Sequence, residues 1–84
     1  MSWRPVLSRG VVLRHDRVRD TDLLLLPERV VVLHGDGGRV VRLCDGTRAV
    51  EDIVAELGAC YPGAPVAGEV PRFLDALRKE GWLA

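Results

Sequence analysis

Cys44, Cys60, His15 and His34 are the residues of this chain whose types could hold a metal or pair a nucleophile with a base. A zinc centre needs about four such ligands, usually in short paired spacings, whereas these four are scattered singly with no CxxC or HxxxH pair. The spacing argues against a metal site. No Ser/His/Asp or Cys/His set has an interpretable spacing, and no paired carboxylates mark a pocket. Asp36-Gly37-Gly38 shares only its glycines with a phosphate-cradling loop and reads as a turn. The residues therefore describe a chain that is not an enzyme and needs no cofactor. Each cysteine continues a helical apolar pattern and reads as a buried thiol acting as a small hydrophobe. His15 reads as a strand residue and His34 as a helix-entry residue.

The chemistry that remains is recognition by apolar surface and backbone. The chain has 84 residues, enough for one domain spanning 1–84, with residues 1–8 as a flexible arm and Trp3 a free arm or a partner contact. A core of that size supplies only about 3–5 kcal/mol, which suits a binding module. Hydrophobic residues make up 48% and charged residues 29%, a globular composition. Twelve basic residues balance twelve acidic ones, so there is no general attraction to phosphate backbones and no nucleic-acid partner is expected. No apolar run approaches the length that spans a bilayer, and MSWRPVLSRG has no signal-peptide core, so no membrane partner and a cytoplasmic location are expected. A reducing cytoplasm disfavours a disulfide.

Positioning falls to a β-leaning front and a helical back. Val11 to His15 is β-branched and partly alternating, with RHDRVRDTD after it reading as a turn or loop. Leu23 to Leu26 and Val30 to Leu33 are two further strands, parted by Pro27-Glu28-Arg29. Their unbroken apolar runs suggest that both faces are covered or contacted. Val40, Val41, Leu43 and Cys44 form a short helix, after glycines that each cost about 1 kcal/mol relative to alanine. Val50, Ile53, Val54, Leu57, Cys60 and Tyr61 follow the spacing of a second helix, with Glu51 and Asp52 at its positive end. Val70, Phe73, Leu74 and Leu77 mark a third, which tolerates Pro71 if that residue lies in the first turn. Gly81 stands where a left-handed C-cap belongs, and Trp82 and Leu83 fold back as an apolar clamp. The fold class is α+β: a winged-helix-like domain with a three-stranded antiparallel sheet followed by three helices.

On this frame sit RG at Arg9-Gly10, RHD at Arg14 to Asp16, LLPERV at Leu25 to Val30, the Leu33-to-Gly46 segment closing on LCDG, IVAEL at Ile53 to Leu57, YPGAP at Tyr61 to Pro65, and FLDAL before a terminal Gly-Trp-Leu. In this order and spacing the strings resemble the PqqD family of pyrroloquinoline quinone biosynthesis over nearly the whole chain. Two positions depart from the pattern: His34 stands where Asn would open the first helix, and Gly37 stands in place of Ala.

The resemblance implies a non-catalytic peptide chaperone that binds the precursor peptide PqqA and presents it to the radical-SAM enzyme PqqE. It further implies that the peptide lies as an added strand along the third strand, in a cleft completed by the third helix. The binding residues would then be Val30, Val31, Val32 and Leu33 on one wall and Val70, Phe73, Leu74 and Leu77 on the other. An exposed strand edge gives a physical reason, since its unpaired N–H and C=O groups can be satisfied by an incoming strand. Periodicity alone assigns the same helix residues to a core. Arg29, Arg72 and Arg78 could attract acidic peptide residues or could simply be solvated. On this reading Val31→Asp abolishes peptide binding and leaves the domain folded. Two alternatives stay open: recognition of a different ribosomally made, modified peptide, or a winged-helix DNA-binding protein whose third helix is the recognition helix. The chain is expected to be a monomer or a weak dimer, with element exchange available through its flexible connections.

Overall fold

Residues 3–84 are described by the structure, a computed structural model. The chain order is β1 (Val12–Asp16), β2 (Thr21–Leu25), β3 (Val30–Leu33), α1 (Gly37–Arg42), α2 (Val50–Cys60) and α3 (Val66–Lys79). The three strands form an antiparallel meander in the order β1-β2-β3. The polar segment after Arg14 is less of a loop than its composition suggested. Strand β1 runs on through Asp16 and β2 resumes at Thr21. Asp16 Oδ1 accepts the Val18 and Arg19 amides to close the turn, and Asp20 takes a left-handed φ of 51°.

Register decides which side of the sheet meets the helices. Leu13, Leu24 and Val31 lie opposite one another across the three strands, with Leu33 following on the same face. Leu24 is fully buried there, against Ile53 of α2 and Leu74 of α3 in one core cluster. The other face carries Val12, Leu23, Leu25, Val30 and Val32, of which Val12, Val30 and Val32 are 50%, 56% and 41% exposed. The expectation that both faces of the second and third strands are covered or contacted is met in part by β2, where Leu23 and Leu25 are half-buried, and fails on β3 at Val30 and Val32. An antiparallel sheet needs only one face in the core, and an unbroken apolar run does not reveal that the other is open.

Helix α1 is capped at Asp36 rather than His34, whose carbonyl accepts the Gly37 amide. Gly38 is buried in α1 with the Asp22 side chain against its backbone, leaving no room for a Cβ. In α2 the Asp52 carboxylate reaches back to the Ala49 amide at 3.0 Å, half of a capping box. Helix α3 begins at Val66, four residues ahead of its first core residue, so Pro71 falls in the second turn and not the first. The Pro62-to-Pro65 turn starts the helix early, and Pro71 leaves the Ala67 carbonyl without its helical donor. Gly81 (φ 83°) ends α3 as expected: its amide bonds the Arg78 carbonyl and that of Trp82 bonds Leu77, the paired bonds of a Schellman motif.

The N-terminal segment is not a loose arm over its described residues. Val6 and Ala84 exchange backbone hydrogen bonds, Ser8 bonds Trp82, and Gly46 donates to Pro5. Trp3 donates its indole N–H to the Ala84 carbonyl at 2.9 Å and lies under the Arg78 guanidinium. Neither contact is visible in local sequence, because the two ends of the chain meet only in the folded state. Residues 1 and 2 of the expected arm lie outside the described residues.

Candidate functional site

β1 and β3 are the two outer strands of the sheet, and hydrogen-bond alternation fixes which residues of β3 face outward. The Leu26 amide donates to the Arg29 carbonyl at 2.9 Å, making that pair hydrogen-bonded and closing the Pro27-Glu28 turn. With Leu25 opposite Val30 and Leu24 opposite Val31, alternation directs the N–H and C=O of Val31 and Leu33 at β2. Those of Val30 and Val32 then point away from the sheet. Val31 is half-buried opposite Leu24 and Leu33 is buried, so their side chains belong to the core.

Helix α3 forms the other wall. Of the four residues expected to line a cleft, Val70, Leu74 and Leu77 are buried in the core, and Phe73 is the one left half-exposed. Glu69, Phe73, Ala76 and Glu80 recur at helical spacing along the flank turned toward β3. Glu80 meets Arg29 at 3.9 Å at the start of the strand. At its far end, the Phe73 ring and the Leu33 Cβ stand 3.2 and 3.5 Å from where a Cβ on Gly37 would be. Strand and helix therefore run antiparallel and meet at both ends, so that this flank of α3 borders the open β3 edge. Its length, about 13 Å from four residues of strand, accepts roughly four residues of an added strand.

Just beyond Leu33, starting at His34, lies a cavity of about 270 Å³. Val40, Leu57, Tyr61, Val66, Val70 and Phe73 give it apolar walls, and His34, Asp36 and Glu69 stand at its polar rim. Arg39 stacks on the Tyr61 ring and donates to its hydroxyl, and its guanidinium lies 3.9 Å from Asp36.

The expected arginines part company. Arg29 lies over Trp82 beside Glu80, at the start of β3. Arg78 is on the opposite flank of α3, held over Trp3. Arg72 is exposed and has no ion pair among the described residues. Nothing in the sequence marks Glu69, Ala76 and Glu80, whose spacing to Phe73 is equally that of a solvated helix face. Sequence reasoning took Cys60 as buried, whereas it is exposed at the end of α2 and only Cys44 is buried. Burial, with the neighbouring Asp45 adding to it, pushes the Cys44 thiol up to about 11. Hydrogen bonds from the Thr47 hydroxyl and amide hold the Asp45 carboxyl below its ordinary range. Among the described residues no three His, Cys, Asp or Glu side chains gather to hold a metal, and no helix is long and apolar enough to cross a membrane.

Comparison with known proteins matches residues 11–83 to the family described as coenzyme PQQ synthesis protein D (PqqD). A PqqA binding protein from Xanthomonas euvesicatoria pv. vesicatoria is 39% identical over 79 residues, covering 92% of this chain and 86% of the relative. One from Bradyrhizobium diazoefficiens is 35% identical over 82 residues, covering 95% and 80%. Among solved structures, the PqqD truncation of Methylobacterium extorquens PqqCD superimposes with a TM-score of 0.75 at 36% identity, covering 95% of this chain and 87% of that one. That protein is described as a functional, stand-alone recognition element for ribosomally synthesised, post-translationally modified peptides.

Proposed function

This chain belongs to the PqqD family, and on that premise we propose that it is a non-catalytic chaperone that binds the precursor peptide PqqA as a fourth strand beside β3. The observation that carries the reading is the free β3 edge, where the backbone groups of Val30 and Val32 face the proposed groove bounded by Phe73, Ala76 and Glu80. Two N–H and two C=O groups can pair with an incoming strand. At about 0.5–1.5 kcal/mol each they contribute roughly 2–6 kcal/mol, with peptide side chains against Phe73 adding the rest. Pairing sets the register, and the helix flank selects side chains.

A strand held there keeps its outer face open beside Val30 and Val32, which suits presentation to the radical-SAM enzyme PqqE. The name PqqA binding protein carried by relatives supports the client. The same groove could serve another modified peptide, and a panel of precursor peptides separates the two. Recognition of DNA is the weaker reading. On the solvent side of α3, Lys79 is paired with Asp75 at 3.3 Å and Arg78 is stacked on Trp3. That leaves Arg72 as the helix cation without an ion pair among the described residues, on a chain of zero net charge.

The test is an amide-resolved NMR titration of the labelled protein with a synthetic PqqA-type peptide. Val30 and Val32 amides should shift most, followed by Phe73 and Ala76. Shifts confined to the α1–α2 side, or none at high peptide concentration, would sink the reading.

A further inference from the structure

We propose that the cavity at the Leu33 end of the groove is a subsite for one lysine or arginine side chain of the bound peptide, with Glu69 as its partner. The inference rests on the strand reading above and adds to it the chemistry of one client position.

The cavity lies between His34 at the end of β3 and Phe73 of α3, where a strand paired with Val32 would place its next inward-facing side chain. Its volume of about 270 Å³ admits one long side chain. Val66, Val70 and Phe73 offer apolar contact to a methylene stem. The rim decides the charge. Asp36 already has Arg39 at 3.9 Å, and Arg39 is further held by Tyr61. Glu69 lines the same rim and has no ion pair among the described residues. A purely apolar occupant would strip water from Glu69 without replacing it, and an acidic one would face two carboxylates. A long cationic side chain satisfies the walls and the rim together.

The experiment measures affinity of the full chain for a synthetic PqqA-type peptide in which each lysine and arginine is replaced in turn by norleucine, which keeps the stem and removes the charge. Each peptide is tested against the native protein and Glu69→Gln, an exposed and conservative change. One position should lose about three- to tenfold in affinity, Glu69→Gln should lose the same on the parent peptide, and the two losses should not add. Additive losses at every basic position, or tighter binding of a norleucine peptide, would overturn the subsite while shifts at Val30 and Val32 keep the strand reading intact. Absence of any binding by the parent peptide would overturn both.

Discussion

Gly38 and Gly68 are both helical glycines, yet their surroundings predict opposite responses to a single methyl group. At Gly38 the Asp22 carboxylate occupies the place of a Cβ, and Asp22 is itself fixed by Arg42 Nη2 and His15 Nδ1, each at 2.8 Å. Gly38→Ala must break that arrangement and should cost about 1–3 kcal/mol. Gly68 has open space around it and an ordinary helical backbone, so Gly68→Ala should stabilise by about 0.5–1 kcal/mol. Urea unfolding of the two variants checks both signs. The cysteines differ in the same local way. Cys60 should be alkylated by iodoacetamide in the native protein, and Cys44 only after unfolding, as mass spectrometry of partially labelled protein would show. Because the folded Cys44 thiol titrates above its unfolded value, its share of stability is complete below that unfolded value and is lost as pH rises through about 11.

On the proposed reading strand β3 divides its residues between core and peptide-binding edge, and substitutions should separate the two. Val31 faces the core opposite Leu24, so Val31→Asp should destabilise the fold by about 2–4 kcal/mol instead of leaving it intact. Val32 points its amide at the free edge, where proline removes a donor that the sheet does not use. Val32→Pro should therefore keep the fold, seen as an unchanged circular dichroism spectrum and melting temperature, and weaken peptide binding by about tenfold or more in a titration. A Val32→Pro variant that unfolds would place the Val32 amide inside the sheet. The proposed groove is a product of the alignment of two elements. Period and apolarity in α3 pick out Val70, Leu74 and Leu77, and these are the residues the core consumes. The wall falls to the next row, Glu69, Phe73, Ala76 and Glu80, which only its packing against β3 distinguishes from solvated surface.

Across the whole molecule, the two ends of the chain are tied together beside the helices. Trp3 reaches the Ala84 carbonyl, and Val6 pairs with Ala84. Trp3→Ala should lower stability by about 1–3 kcal/mol in thermal unfolding and leave peptide affinity unchanged, because Arg78 and Trp3 lie on the flank of α3 away from the groove. The open β3 edge is also where a second copy could add. A monomer or weak dimer is expected at cellular concentration, and any dimer should dissociate when precursor peptide is added. Light scattering with and without peptide tests this, and a tight dimer indifferent to peptide would refute it.

The order of three strands and three helices, the span of β3, the second helix and the glycine C-cap at Gly81 were all legible in the sequence. Each depends on local rules of periodicity, turn chemistry and capping that operate within a few residues. The start of α3 ahead of Pro71 was not, since a turn built from Pro62 to Pro65 overrode the proline's usual place. Nor were the outer sheet face, the docking of Trp3 against Ala84 and the Glu69-to-Glu80 wall. These depend on which side of an element its neighbours cover. Composition and spacing say that a residue is apolar or charged, and only the packing of sheet against helices decides whether it is core, groove or open surface.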